Sequence, residues 1–143
     1  MMRSDQYFAG FVDGEGCVSI GTNKSAYSGK RVHYLRLSVH QLDKRPLDLL
    51  RERFGGSVNL NRTHKPRPLW QWAVADNKAL HALEALRDSL VVKREQAQLG
   101  IEFQRGKLAR NNSRLPLLEV EVAERESYYL AMRDLKQVDY DEV

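Results

Sequence analysis

The stretch Tyr7-Phe8-Ala9-Gly10-Phe11-Val12-Asp13-Gly14-Glu15-Gly16-Cys17-Val18 constrains this chain more than any other. Apolar and small residues fill a helical segment that ends on two carboxylates, each followed by a glycine. Ala9 and Gly10 let another backbone approach closely, while Gly14 and Gly16 permit the turn that leaves the helix. Asp13 and Glu15 then stand at a helix C-terminus, where the helix dipole is itself negative. That placement is unfavourable unless a cation answers it. The segment reads as a packing surface that delivers an acidic residue to a metal.

The pattern around this stretch defines the other elements. Ser4 or Asp5 is placed to cap the first helix, which runs to about Asp13. From Cys17 the period switches to two, with Val18 and Ile20 on one face and Cys17, Ser19 and Gly21 on the other. A turn rich in Gly, Ser, Asn and Lys spans Gly21 to Lys30. His33 to Gln41 then alternates, with Leu35, Leu37 and Val39 inward and Tyr34, Arg36, Ser38 and His40 outward, completing a hairpin with one buried face. A helix over Lys44–Phe54 carries Pro46 in its first turn and closes on Gly55-Gly56. A second hairpin pairs Ser57–Arg62 with Leu69–Ala75, and the alternation points both Trp70 and Trp72 into the core. Asp76 or Asn77 caps a helix through Leu80, Leu83, Leu86 and Leu90, Lys93 precedes another helical stretch to about Arg105, and Leu117 to Gln137 is helical by composition and spacing. The order helix, hairpin, helix, hairpin, helices predicts an α+β domain with one four-stranded antiparallel sheet and helices on one face. The chain of 143 residues fits a single domain, residues 1–143, with a core over about 4–110 and a helical acidic tail over about 117–143.

Charge is unevenly distributed. Residues 1–116 hold 20 Lys/Arg against 11 Asp/Glu, whereas residues 117–143 hold 3 against 8. A basic body fits a polyanionic partner, although a solvated charged tail on a basic protein fits the charge equally well. Cys17 is the only cysteine, which excludes an intrachain disulfide and a cysteine-based zinc finger and fits a reducing compartment. No apolar run approaches the roughly 20 residues needed to cross a bilayer, and no secretory-type core follows the N-terminus. The expectation is a soluble, intracellular protein in whichever compartment holds its target. The four histidines, His33, His40, His64 and His81, lack the paired spacing of a zinc site. Asp13-Gly14-Glu15-Gly16 lacks the later oxygen ligands of a calcium loop.

The run Phe8-Ala9-Gly10-Phe11-Val12-Asp13-Gly14-Glu15-Gly16 resembles the signature motif of the LAGLIDADG homing endonucleases. In that family the motif helices of two subunits or half-domains pack together, and the final acidic residue of each reaches the scissile phosphates through a divalent metal. The resemblance implies the αββαββα fold with a DNA-binding sheet. It also makes Glu15, where many members carry Asp, the ligand of a Mg²⁺ ion, with the Gly14 carbonyl beside it and Mn²⁺ or Ca²⁺ as possible occupants. By the same resemblance Gln41 orients the water network, Arg45 holds that network and the transition-state charge, and Lys93 lies near the scissile phosphate.

The motif occurs once, with no internal repeat, so cutting both strands of a duplex calls for a second copy of the chain. Phe8, Ala9, Gly10, Phe11, Val12 and Asp13 are the candidate dimer interface; the alternative places the apolar ones in the intrachain core. The candidate DNA surface is the outward set Ser19, Asn23, Tyr34, Arg36, Ser38, His40, Asn59, Asn61 and Gln71, whose Arg, Asn and Gln side chains pair well with base edges. Basic loops at Lys24, Lys30, Arg31, Arg62, Lys65 and Arg67 suit phosphates; a solvated sheet face would select the same polar residues. The function implied is a homodimeric, metal-dependent, site-specific endonuclease making a staggered break in a long pseudo-palindromic target, in the service of intron mobility. The alternatives are an RNA-binding intron maturase and a DNA-binding regulator that does not cut.

Overall fold

The computed structural model describes residues 4–26, 29–61, 69–110 and 115–141, with side chains through residue 137. The elements are α1 (Asp5–Glu15), β1 (Gly16–Lys24), β2 (Arg31–Gln41), α2 (Arg45–Phe54), β3 (Ser57–Asn61), β4 (Leu69–Ala75), α3 (Asp76–Leu86), α4 (Arg94–Leu108) and α5 (Glu119–Asp141), with a short 3-10 turn at Arg87–Ser89. The strands form one antiparallel sheet in the order β1-β2-β4-β3. This is the α+β architecture expected from the sequence.

Register explains the layering. Val18 faces Leu37, Leu37 faces Val74, and Val39 faces Trp72, so one side of the sheet is a continuous apolar surface. Phe8, Ala9 and Val12 of α1, Leu47 and Leu50 of α2, Leu83 and Leu86 of α3, and Ala97, Ile101 and Phe103 of α4 cover it. Trp72 lies at the centre, fully buried, with its indole N–H donating to the Gly55 carbonyl at 2.9 Å. Trp70 shares the same side but sits half-buried at the rim, where the Lys44 ammonium lies 5.3 Å from its ring centre. The expectation that both tryptophans enter the core therefore holds for one of them. The sheet ends before the helices cover its last row.

Two turns needed correction. Helix α1 does not stop at Asp13 but continues to Glu15, so Gly14 is helical and only Gly16 makes the exit. A Cβ on Gly16 would lie 2.6 Å from the Val12 carbonyl oxygen, which excludes any side chain where the strand leaves the helix. Helix α3 ends at Leu86, and Leu90 joins the core from beyond the 3-10 turn. Neither Asp76 nor Asn77 caps α3 through its side chain; Asp76 adopts φ 53°, a left-handed conformation that Asp tolerates better than most residues. Ser4 does cap α1, its hydroxyl accepting from the Tyr7 N–H at 3.3 Å.

Candidate functional site

Two residues apart on a helix means about 200° of rotation, and this separates the fates of Asp13 and Glu15. Asp13 turns toward the segment before α4. Its carboxylate accepts the Val91 N–H at 2.9 Å and the Lys93 N–H at 3.0 Å, while the Lys93 ammonium donates to the Asp13 carbonyl at 2.9 Å. The cation required at the end of α1 is thus supplied from within the chain, and Asp13 ties α1 to the segment before α4. Glu15 turns the other way and is exposed. It opens onto a shallow groove of about 380 Å³ lined by Tyr7, Gly10, Phe11, Glu15 and Gln41.

The same rotation divides the rest of α1. Phe8, Ala9 and Val12 are buried in the intrachain core, because they face the sheet at helical spacing. They are removed from the candidate interface. Gly10 and Gly14, one turn apart, lie on the opposite side, and a Cβ on either would meet nothing within 4 Å. Phe11 and Tyr7 pack edge to face beside them, ring centres 5.1 Å apart, and remain half-buried. Of the candidate interface, Gly10 and Phe11 keep an open face, and Tyr7 and Gly14 join them there.

Gln41 ends β2, and Arg45 opens α2 after a short turn. The Gln41 side-chain oxygen accepts the Leu42 N–H at 2.9 Å, holding the amide at the groove. Arg45 projects into solvent with 88% of its side chain exposed and donates through Nε to both Asp43 oxygens, at 3.0 and 3.1 Å. Hydrogen bonding from Arg45 holds the Asp43 carboxyl down at about 2, and Asp43 raises the Arg45 guanidinium in return. Glu15 and Gln41 therefore share one groove, whereas Lys93 is tied to the Asp13 carbonyl and Arg45 to Asp43, and neither lines it.

The outer side of the sheet carries Ser19 opposite Arg36, Gly21 opposite Tyr34, and Asn59 opposite Gln71, with His40 beside Gln71. The Tyr34 ring lies across Gly21, where an added Cβ would fall 2.2 Å from it. Asn61 donates to the Gln71 side-chain oxygen at 3.4 Å. Ser38 is a correction: only 5% exposed, it is too short to emerge between its neighbours Cys17 and Ala73. Asn23 is exposed on this side, whereas Lys24 and Arg31 pair with each other on the helix side.

Two of the expected phosphate ligands are already engaged by α5 and the segment that leads into it. Lys30 donates to the Leu117 carbonyl at 3.2 Å, and Arg31 pairs with Glu126 at 3.4 Å while lying 4.9 Å from the Tyr129 ring centre. Glu126 also meets the buried His33 ring at 2.6 Å. The acidic tail is thus a packed helix that takes up basic side chains of the first hairpin. Only the charge asymmetry hinted at this, since no local pattern links residues so far apart. Arg62, Lys65 and Arg67 lie outside the described residues.

The donors at Glu15 are hard oxygens of the kind Mg²⁺ prefers, but one chain provides few of them. Among the described residues no three His, Cys, Asp or Glu side chains gather at one point. The arrangement fits a metal only if further oxygens come from a phosphate, water or a second copy of the chain. Among the described residues no helix is long and apolar enough to cross a membrane.

The family model for "LAGLIDADG endonuclease" matches residues 8–86. An archaeal intron-encoded homing endonuclease complexed with DNA is similar in structure, with a TM-score of 0.73, 18% identity, and coverage of 92% of this chain and 82% of that one. The homing endonuclease I-CvuI, solved with uncleaved DNA in the presence of Mg, gives a TM-score of 0.61 at 21% identity and covers 94% of this chain and 95% of its own. I-SmaMI bound to cleaved DNA gives a TM-score of 0.70 at 15% identity, with 92% of this chain covering 44% of that one. At these identities the likeness shows a shared fold. No curated protein sequence matches the chain.

Proposed function

The chain belongs to the LAGLIDADG endonuclease family, and from that premise we propose that it is a site-specific homing endonuclease acting on double-stranded DNA as a homodimer. The observation that carries the proposal is the division of α1. One stripe is consumed by the core, while the other is bare, glycine-lined and ends on the exposed carboxylate of Glu15. A second copy laid against that bare stripe would set two Glu15 residues side by side, as two cuts require. The lengths of the structural relatives support the same stoichiometry. This chain spans nearly all of I-CvuI but less than half of I-SmaMI.

Glu15 and the Gly14 carbonyl are the groups that would hold a divalent ion, Mg²⁺ in the first instance, and its chemistry is Lewis acidity toward a phosphate and a more acidic bound water. The solved neighbours include DNA complexes prepared with Mg or Ca, which agrees with this choice. The remaining work falls to side chains of this chain. Gln41 offers an amide to orient water in the groove. Lys93 braces the Asp13 carbonyl and places its positive charge at the end of the helix that carries Glu15. Arg45 must exchange Asp43 for a phosphate, and because the pair is screened by solvent the exchange costs little. Ser19, Arg36, His40, Asn59, Asn61 and Gln71 form the reading surface across the sheet.

The test is a selection for cut sites from a randomised duplex library with Mg²⁺, run with the wild type and with Glu15→Gln. Recovery of one site by the wild type, with loss of cutting but retained binding in Glu15→Gln, is the expected result. Equal cutting by both proteins would remove Glu15 from the chemistry. A wild type that binds and does not cut would favour a maturase or regulator on the same fold.

A further inference from the structure

Helix α5 lies outside the stretch that the family model matches. It runs antiparallel along α4: Glu121 meets Arg110, Tyr128 packs on Phe103, and Leu135 shares a cleft with Gln98 and Glu102. Glu126 on His33 and the buried Met132 fix its rotation and its position along the sheet. A helix held at these points brings the turn that carries Lys136 to one place, the start of β1. There the half-buried Lys136 places its ammonium 3.4 Å from the Cys17 sulfur. Cys17 is two residues beyond Glu15 and belongs to the outer side of the sheet.

A thiol is a weak acceptor, and among the described residues no carboxylate pairs with Lys136. The chain therefore orders a long cationic side chain beside the end of α1 without neutralising it. Lys93 supplies a second ammonium from the α4 side, through the Asp13 carbonyl. The two lysines bracket the segment from Asp13 to Cys17, from which Glu15 projects. The α1 dipole helps to explain one of them; a second, held against sulfur, adds positive charge where a polyanion would lie.

We propose that Lys136 contacts the DNA backbone, pairing with a phosphate next to the one presented to Glu15. The proposal rests on the endonuclease reading of the Glu15 site and extends its DNA surface to α5. Ordering the stem in advance lowers the entropy cost of gripping that phosphate. The contact carries positive charge without base readout, so it should act alike on every sequence.

The experiment measures binding of the full chain to a labelled random-sequence duplex of about 40 base pairs, from about 50 to about 200 mM salt. Wild type is compared with Lys136→Gln and Lys136→Arg, with a thermal melt of each protein. Loss of one phosphate contact per protomer should make the plot of log affinity against log salt shallower by about 0.9 per protomer in the Gln variant. The Arg variant should restore the slope, and the melting temperatures should match. An unchanged slope in Lys136→Gln overturns the proposal, as does a slope that falls equally in both variants. Wild-type cutting with an unchanged slope would sink the Lys136 contact alone. A changed slope without metal-dependent cutting would sink the nuclease reading alone.

Discussion

The two sides of α1 are eleven residues of one helix under opposite demands. On the sheet side, Phe8, Ala9 and Val12 are closed in by the molecule's own strands and helices. On the open side, Gly10 and Gly14 face empty space, with Phe11 and Tyr7 only half covered. A stable monomer needs the first stripe and has no evident use for the second. The difference teaches that the motif does two jobs with separate residues, folding on one side and association on the other, so the two can be broken independently.

The largest effect should come from the buried side. Phe8→Ala removes a ring that packs on Phe54 at 5.8 Å and on Tyr7 at 5.4 Å. Such truncations cost about 3–5 kcal/mol, a large part of the roughly 5–15 kcal/mol that holds a domain folded. Urea unfolding should show the midpoint falling with the slope preserved. A loss below about 1 kcal/mol would mean that this side is not the core the packing describes.

Asp13→Ala comes next, at the boundary between the two sides. It strips the acceptors from the Val91 and Lys93 N–H groups, which act on α4 much as an N-cap does, and should cost about 1 kcal/mol. A thermal melt checks the number. Because the Lys93 backbone would lose its anchor on α1, although its ammonium keeps the residue 13 carbonyl, cutting should fall further than stability alone explains; a parallel fall in both would reduce Asp13 to a structural tie.

How much of this was legible beforehand depends on the range of the interaction. Alternation in β2 and β4 placed Leu35, Leu37, Val39, Trp72 and Val74 correctly, since strand parity is local. The resemblance named both Glu15 and Gln41 as site residues, and both line one groove. Sequence alone places Asp13 at the interface and Glu15 at the metal but misses the tie from Asp13 to Val91 and Lys93, which joins residues far apart in the chain. Parity also failed at Ser38, where it gave the side but not the depth. The capture of Lys30 and Arg31 by the tail, and of His33 by Glu126, joins residues about ninety positions apart. No periodicity encodes such contacts; they emerge only when α5 folds back along α4.

The smallest effect on the monomer, and the sharpest for the comparison, belongs to Gly10→Leu. Nothing lies within 4 Å of a Cβ at this position, so the isolated chain has room for the side chain. Leucine also favours a helix over glycine by about 0.5–1 kcal/mol, which should raise the melting temperature by about 2–4 °C in a chain of this size. If the bare stripe is where a second copy docks, the same leucine holds two helices apart and weakens self-association by at least about tenfold, equivalent to 1.4 kcal/mol. Sedimentation over a concentration series, with and without duplex DNA, separates the outcomes. A protein that melts higher and no longer pairs assigns the open side to association. One that melts higher and pairs as before shows that the copies meet elsewhere, and the division of α1 would then need another explanation.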